Sequence, residues 1–282
     1  MTLTSVSSVD HGAVTVSVVV FYPDLHLFTR TLASLARAGG ALLRVAPGKS
    51  LHLYLIDNGG MPEIGESLAA LAEAGIGCTV LAGHGNVGYG RGHNLAIERA
   101  QSDLHVILNP DVDLDDESLI AGCRFFDAHP EVGLLAPWIG DDSGRQQYLC
   151  RRYPTLLDLF ARGFVPPVLR DVLFATRLVR YEMRDLIDGT AVVWDPPIVS
   201  GCFMLFRTSV LKQLQGFDSR YFLYFEDYDL SLRAHAVTRV VYVPFVRVLH
   251  HGGGASRKGS AHIRMFISSA YKFFNRFGWK WL

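Results

Sequence analysis

Short runs of aliphatic and β-branched residues alternate with longer amphipathic segments in the first half of the chain, and this alternation constrains the fold more than any other feature. Strands are predicted at residues 15–21, 51–56, 78–81 and 104–108. Helices are predicted at residues 25–38, where Gly39-Gly40 would end the helix, and at 63–74 and 92–100. Strands that alternate with helices pair in parallel through right-handed crossovers. The sequence therefore predicts an α/β fold, a Rossmann-like sandwich with a mostly parallel central sheet.

Composition excludes several classes of protein. The chain has 282 residues, is 49% hydrophobic and carries no net charge, which argues against disorder and against binding to nucleic acid. The N-terminus lacks the features of a signal peptide, and no apolar run is long enough to cross a bilayer. The four cysteines are scattered, as is typical of reduced thiols. We therefore expect a cytoplasmic protein, or one attached peripherally to the inner face of the plasma membrane.

The chain reads as a single domain, 1–282, with three parts. Residues 14–140 carry the regular alternation, and residues 141–254 form a second half. Within that half, prolines interrupt short amphipathic pieces at 141–195, which predicts a helical insertion beside the sheet. Residues 255–282 carry six basic residues and no acidic residue among several aromatic ones. This basic amphipathic tail suits either contact with anionic lipid or packing of a C-terminal helix on the sheet.

Polar clusters follow the predicted strands where each one ends. They lie at 57–58, 85–94 and 109–113. In open α/β sheets, ligands bind beyond the carboxyl ends of the strands, so these clusters predict one site.

Four aspartates fall within six positions, two in the third cluster and two just after it. Asp111 and Asp113 alternate directly after a buried strand, so both side chains point to one side and can share a divalent cation. Asp115 and Asp116 precede a helical segment and are instead expected to cap it.

The glycine-rich segment at 83–94 has two interpretations. The pattern G-x-G-x-x-G, followed by Asp103, resembles a dinucleotide-binding fingerprint, but two strand–helix units precede it, whereas the fingerprint normally occupies the first. The other interpretation is a backbone cradle for a phosphate or sugar, with Arg91 and Asn94 at the start of the helix.

Two further groups of residues can carry chemistry. Glu226 and Asp227 follow an aromatic run, where an apolar environment raises a carboxyl pKa toward the range of a general base. Asp229 is expected to pair with Arg233 at the start of a surface helix. At the end of the last strand, His250 is predicted to point inward with the apolar residues of the strand, and His251 remains a second candidate.

In their order and spacing these motifs resemble the family-2 glycosyltransferases of the GT-A fold, particularly the bacterial rhamnosyltransferase-like branch. The likeness runs from Val16 to Trp279 and weakens at 141–195. The segments that carry it are Ile56-Asp57-Asn58-Gly59, Asn86-x-Gly88-x-x-x-Gly92-x-Asn94, Leu108-Asn109-Pro110-Asp111-x-Asp113, Ser200-Gly201-Cys202, Gly216-Phe217-Asp218, Phe222 to Arg233, His250-x-Gly252-Gly253 and Phe273 to Trp279. The first strand departs from the family, since it ends in Phe21-Tyr22-Pro23 rather than Thr-Tyr-Asn.

The resemblance implies a role for each matching residue. Asp57 would meet the donor's nucleobase, while Asp111 and Asp113 would carry Mg²⁺ or Mn²⁺ on its diphosphate, with His250 as a further ligand. Asp227 would be the general base that activates the acceptor hydroxyl, and Glu226 is the nearby second carboxyl. The remaining residues expected to bind the donor are Asn58, Asn86, Gly88, Arg91, Asn94 and Asn109.

One catalytic carboxylate predicts inversion at the anomeric carbon. The expected reaction moves a sugar from a nucleoside-diphosphate donor to a glycan or a polyprenyl-diphosphate-linked acceptor during synthesis of a cell-surface polysaccharide. Resemblance alone favours L-rhamnose from dTDP-rhamnose. The alternatives are a sugar-nucleotide pyrophosphorylase, for which the first strand lacks a following glycine-rich basic loop, and a non-catalytic module that binds carbohydrate or lipid.

Overall fold

A nine-stranded mixed sheet runs through the part of the chain that the computed structural model describes, residues 10–252 and 260–282. Its strands are β1 (Asp10–Val20), β2 (Ser50–Asp57), β3 (Gly77–Leu81), β4 (Ser102–Leu108), β5 (Val112–Leu114), β6 (Val132–Gly140), β7 (Val193–Trp194), β8 (Phe203–Arg207) and β9 (Arg239–His250). The helices are α1 (Leu25–Val45), α2 (Gly65–Glu73), α3 (Tyr89–Arg99), α4 (Ser118–Ala128), α5 (Leu156–Phe164), α6 (Pro167–Leu173), α7 (Ala175–Tyr181), α8 (Thr208–Gln213), α9 (Glu226–Ala234) and α10 (Ser260–Phe277).

The sheet is mostly parallel, as predicted. Its order is β3-β2-β1-β4-β8-β6-β9-β5, with β7 also pairing with β9. Strands β1, β2, β3, β4, β6 and β9 share one direction, while β8, β7 and β5 run against them. Because β8 reverses between β4 and β6, its amino end lies beside the carboxyl end of β4, and the loop that precedes β8 reaches the predicted site.

Alternation along β1 explains why both faces of the sheet are covered. Val14, Val16 and Val18 are buried in a cluster with α1 and α4, as expected for one face of a strand. The intervening residues face α3, where the Ser17 hydroxyl bonds to a buried histidine, His93. Apolar burial on both faces fixes the register of the parallel core and thereby the edge at which its carboxyl ends meet.

Three local predictions were wrong. The first helix does not end at Gly39-Gly40 but continues to Val45, because both glycines are buried against α2 and a Cβ on Gly39 would meet the side chain of Ile76. The third helix begins at Tyr89 rather than Gly92. Neither Asp115 nor Asp116 is the N-cap of α4, which is Glu117. Asp115 accepts instead from the Glu117 backbone N–H in the preceding turn.

The predicted insertion is helical and contains α5, α6 and α7. The predicted C-terminal helix is α10, and it packs its inner side on the aromatic residues before α9. Phe273 and Phe274 are fully buried there beside Tyr221 and Phe225. Two tail bases, Arg257 and Lys258, lie outside the described residues. Among the helices that the structure describes, none has the length and hydrophobicity needed to cross a membrane.

Candidate active site

The aspartate cluster lies where β4 ends and a short strand turns back along β9. Asn109 and Asp111 follow β4, and β5 then pairs antiparallel with the end of β9, so that Val112 stands opposite His250. The His251 N–H donates to the Asp111 carbonyl at 2.9 Å, which extends this pairing by one step. Backbone pairing therefore brings both histidines to the aspartates, although about 140 residues separate them in the chain.

Each aspartate faces its own histidine. His250 Nε2 lies 3.5 Å from Asp111 Oδ1, and His251 Nε2 lies 3.0 Å from Asp113 Oδ2. Arg30, on α1, donates to the same Asp113 oxygen at 2.7 Å. The crowded negative charge at the end of β4 is thus balanced partly by this arginine, which the sequence analysis did not single out.

The two histidines differ in what their other nitrogen contacts. His250 Nδ1 lies 3.4 Å from the Gln147 amide oxygen, and the same amide donates to the His250 carbonyl at 2.8 Å. This contact favours the tautomer that presents a free lone pair on Nε2, as in a metal-ligating histidine held by a second partner. His251 lies between two carboxylates, those of Asp113 and Asp142, and its side chain is the more buried of the two, at 2% against 14% exposed. We predicted that His250 would be the inward member of the pair, but the side chain of His251 is the more buried, so that prediction is wrong.

The donor set fits a hard divalent cation. Buried oxygens of Asn109 and Asp113 (Oδ1 in each) have no hydrogen-bond partner within the described residues. Gly252 leaves room beside Asp111 and His250, because a Cβ at that position would collide with both side chains. The described residues contain no preassembled group of three or more ligands. That is compatible with Mg²⁺ or Mn²⁺, which needs only one or two carboxylates when a substrate diphosphate completes its shell.

The second carboxyl pair begins α9. Tyr224 and Phe225 both adopt left-handed backbone angles, with φ of 72° and 64°, and this turn carries Glu226 and Asp227 inward. Asp227 accepts hydrogen bonds from the Gly201 N–H at 3.0 Å and from the Tyr228 N–H at 2.9 Å. The Oε2 atom of Glu226 is buried and has no partner among the described residues. Of these two adjacent carboxyl groups, Glu226 is buried and Asp227 is partly exposed, and among the described residues only the Asp227 side chain accepts hydrogen bonds from the backbone of other residues.

The difference in hydrogen bonding gives the two carboxyl groups different pKa values. Burial, reinforced by the neighbouring Asp227 charge, raises the pKa of Glu226 from 4.5 to about 8. Burial also raises the pKa of Asp227, but the Gly201 and Tyr228 N–H groups and the charge of Arg151 oppose that rise. Asp227 is consequently the carboxyl that ionises first, while Glu226 keeps its proton at neutral pH. The expectation of raised pKa values at this pair is confirmed.

Asp229 was expected at the start of a surface helix and is instead fully buried. The predicted pair with Arg233 is present at 2.5 Å, and Arg276 of α10 adds a second contact at 2.7 Å. Asp229 therefore joins α9 to α10 and does not face the site.

One short loop connects the two acidic clusters. The Cys202 carbonyl accepts from the Asn109 N–H at 2.9 Å, and the adjacent Gly201 N–H donates to Asp227. Tyr89, at the start of α3, donates its hydroxyl to the Gly201 carbonyl at 2.6 Å. Burial raises the pKa of Tyr89, and the charges of Glu226, Asp227 and Asp111 raise it further, so all three carboxyl groups act on this one ring. The structure therefore brings the predicted metal and base residues together around Gly201.

The residues predicted to bind the donor at β2 and before α3 form a connected set. The buried Asn58 amide donates to the Gly88 carbonyl at 3.1 Å and lies 3.4 Å from Asn86, and its oxygen faces His84 at 3.0 Å. Gly88 has a φ of 89° and packs against the Phe222 carbonyl, where a Cβ would collide. The glycine-rich loop is thereby fixed beside the aromatic block that leads into α9.

Three other predicted residues have clear local contacts. Asp57 accepts from the Gly59 N–H at 2.8 Å at the end of β2. Arg91 donates from Nε to the Ser219 carbonyl at 2.7 Å. Asn94 uses both its oxygen and its nitrogen on the Phe217 backbone, each at 2.8 Å, and therefore joins α3 to that loop rather than to the acidic clusters.

The dinucleotide-binding interpretation does not fit the fold. Its acidic residue, Asp103, lies at the amino end of β4 and accepts from the Gly12 N–H, at the opposite edge from the site. Its glycine loop follows β3, the outermost strand of the sheet.

Sequence reasoning missed Arg30, Tyr89 and Gln147. Tyr89 sits between two glycines of a loop assigned to backbone binding, and Gln147 lies in the irregular stretch after β6. Neither has a local pattern that would identify it.

A mostly parallel α/β sheet with acidic clusters at its carboxyl edge is the arrangement expected of a GT-A glycosyltransferase. The family description "Glycosyl transferase family 2" matches residues 17–215, and the chain belongs to that family. The N-acetylglucosaminyl-diphospho-decaprenol L-rhamnosyltransferase of Mycobacterium tuberculosis is 30% identical over 90% of this chain and 81% of its own. Rhamnosyltransferase WbbL of Escherichia coli is 25% identical over 68% of this chain and 72% of its own.

Solved structures agree on the fold. The mannosyltransferase PcManGT from Pyrobaculum calidifontis, in complex with GDP-Man and Mn²⁺, superposes with a TM-score of 0.57 at 16% identity, covering 92% of this chain and 64% of that one. The resemblance to a rhamnosyltransferase-like family-2 enzyme is confirmed, and the pyrophosphorylase alternative is set aside by the family match.

Proposed function

We propose that this glycosyltransferase is a divalent-cation-dependent, inverting enzyme that transfers L-rhamnose from dTDP-rhamnose to a hydroxyl of a polyprenyl-diphosphate-linked glycan during synthesis of a surface polysaccharide. The similarity to the mycobacterial L-rhamnosyltransferase, whose name includes a diphospho-decaprenol acceptor, supports both the sugar and the acceptor class. The structurally similar mannosyltransferase PcManGT, solved with GDP-Man, supports a donor with a nucleoside diphosphate as leaving group.

The observation that carries the proposal is the loop at Gly201 and Cys202. It is hydrogen-bonded to Asn109 on the side of the aspartate cluster and to Asp227 on the side of the base. A donor diphosphate bound at one cluster and an acceptor hydroxyl at the other would approach each other across this loop. Such fixed placement of two reactants is a large part of enzymatic rate enhancement.

On the donor side, Asp111 and His250 would hold Mg²⁺ or Mn²⁺, with Asp113 completing the set. When bound, the cation neutralises charge that develops on the departing diphosphate. Arg30 would orient Asp113, since it donates to one carboxylate oxygen, while the other is buried without a hydrogen-bond partner in the described residues. Asp57 would contact the nucleobase, while Asn58, Asn86, Gly88 and Arg91 line the donor side.

On the acceptor side, Asp227 would remove the proton from the attacking hydroxyl. Two N–H groups hold its carboxylate in place, and its ionisation precedes that of Glu226. A single ionised carboxylate opposite the leaving group leads to inversion. Glu226, protonated at neutral pH, avoids a second negative charge beside the base.

The test is to measure nucleotide release from dTDP-rhamnose in the presence of a short-chain, water-soluble polyprenyl-diphosphate-linked acceptor, with Mn²⁺, with Mg²⁺ and with excess chelator, using three single substitutions. Asp111→Asn and Asp227→Asn should each lower turnover by roughly 10²–10⁴-fold. Asp116→Asn is the matched control, because Asp116 belongs to the same aspartate run but is paired with Arg37 at the surface. Full turnover in chelator, or equal loss in all three variants, would refute the proposed cation site. Tight donor binding with no release would indicate the non-catalytic alternative.

A further inference from the structure

We infer that the outer side of α5 and α6, with the aromatic residues after α10, docks on an anionic lipid bilayer. This apolar face consists of residues that are 52–78% exposed on two consecutive helices: Phe160, Phe164, Val168, Leu169, Val172 and Leu173. Isolated exposed apolar residues are ordinary, but a contiguous group of this size on a monomer marks an interaction surface. Within α6 the only polar side chains are those of Arg170 and Asp171.

The apolar face continues into the C-terminal segment. The Leu157 N–H donates to the Trp281 carbonyl at 3.3 Å, which sets the end of the chain beside the first turn of α5. Trp281 stacks near Trp279 at 6.1 Å, and Trp279 lies 6.0 Å from Tyr271 on α10. Trp281 and Tyr271 are 68% and 59% exposed. Partly exposed tryptophan and tyrosine beside an aliphatic surface are the residues favoured at a membrane–water boundary.

The charges of the residues around the apolar face distinguish between two possible partners, a second copy of the protein and an anionic lipid surface. Several basic residues of this region are paired with acids: Arg162 with Glu182, Arg170 with Asp171, Arg177 with Asp158, and Arg276 with Asp218 and Asp229. Arg180 on α7 and Arg264 on α10 are exposed, and residues 263–282 contain no acid. A second copy of the same face would bring like charges together, whereas an anionic lipid headgroup layer attracts them. Exposed arginines such as Arg180 and Arg264 are placed to contact headgroups while the apolar residues enter the acyl boundary.

The insertion that carries the apolar face contacts the helix of the proposed base. Tyr181, the last residue of α7, shares a hydrogen bond of 2.9 Å between hydroxyls with Tyr228, which follows Asp227. The insertion is therefore in contact with the base helix, and a bilayer beneath α5 and α6 would lie on the side where the acceptor approaches. Binding to the bilayer is a separate property from the proposed sugar transfer, because it requires neither the sugar donor nor the divalent cation.

The test is cosedimentation of the full-length protein with phosphatidylcholine vesicles, with and without added phosphatidylglycerol, in the absence of nucleotide. A variant with Val168, Leu169, Val172 and Leu173 all changed to Gln removes four side chains from the apolar face. A matched control changes Val45 and Val237, exposed apolar residues on other surfaces, to Gln. We expect the wild type and the control to bind the phosphatidylglycerol vesicles, with binding weakened by salt, and the four-residue variant to bind at least about tenfold more weakly.

Tryptophan fluorescence quenching by brominated lipids gives a measurement on the wild type that does not depend on a variant folding. Quenching in the wild type would support docking, and quenching that is reduced in Trp281→Phe but retained in Trp194→Phe would place the contact at the apolar face. Equal vesicle binding by the four-residue variant and the wild type would overturn the inference. So would a dimer in sedimentation velocity that these substitutions dissociate. Nucleotide release from the donor should stay unchanged in the variant, so a failure of docking is distinguishable from a failure of the proposed transfer.

Discussion

Replacing Glu226 by glutamine tests whether the carboxyl pair is strained by burial. The side chain is 5% exposed, and its Oε2 atom has no hydrogen-bond partner in the described residues. In the folded protein burial raises its pKa from 4.5 to about 8, whereas the unfolded chain ionises near the ordinary value. Glutamine keeps nearly the same shape and cannot ionise.

The sign of the effect follows from proton binding. Between about pH 4.5 and 8 the folded state keeps a proton on Glu226 that the unfolded state has released, so this residue lowers stability as the pH rises through that window. The loss levels off above the folded pKa. At about 1.4 kcal/mol per pH unit, the shift corresponds to an upper limit of roughly 5 kcal/mol. Glu226→Gln should therefore be close to neutral near pH 4.5 and stabilising by several kcal/mol at pH 8.

Urea unfolding of both proteins at several pH values measures this difference. His93 and His105 also titrate with folding, but they are present in both proteins, and their contributions cancel in the difference at each pH. Glu98→Gln, an exposed glutamate on α3, is the control and should show no pH-dependent gain. A constant difference between Glu226→Gln and wild type from pH 5 to pH 8 would refute the reasoning, because it would mean that Glu226 ionises equally easily in both states.

Three further predictions concern the support of the site. Gly88→Ala should lower the free energy of unfolding by roughly 2–4 kcal/mol, measured by thermal denaturation, because its positive φ and the nearby Phe222 carbonyl exclude a Cβ. Tyr89→Phe should cost about 1 kcal/mol and lower kcat more than it raises donor KM, because it frees the Gly201 carbonyl in the loop that orients the base. Stability should fall as the pH drops below about 6.5, because burial lowers the pKa of His105 to about 3, and His105→Gln should reduce that fall in an acid titration followed by circular dichroism.

Each of these predictions has a matched control. Gly65→Ala places a Cβ in open space at a helix start, and Tyr54→Phe removes a hydroxyl whose hydrogen bond to the Arg99 carbonyl is long, at 3.5 Å. His26→Gln changes an exposed histidine. If a control has the same effect as its test variant, the corresponding structural reason is wrong.

Much of the fold could be predicted because its signals are local. Short runs of apolar and β-branched residues identified β1 to β4, because their strands are buried on both faces, and helical spacing identified α1 to α3, because burial of one helix face imposes a period on its residues. The errors at Gly39-Gly40 and at the Asp115–Asp116 cap have a different origin. Glycine often ends a helix, but Gly39 packs against Ile76 and the helix continues past it. Aspartate often caps a helix, but Asp115 accepts a hydrogen bond within the turn before Glu117.

By itself, the sequence determined which chemical groups are available and on which edge of the sheet they lie, because polar residues directly after buried strands have no other place in a parallel α/β fold. Only the tertiary structure decided which of them meet. The contacts of Arg30 with Asp113 and of Gly201 with Asp227 join residues 83 and 26 positions apart. They exist because β8 reverses beside β4 and β9 returns beside β5, and no periodicity within either segment encodes that path.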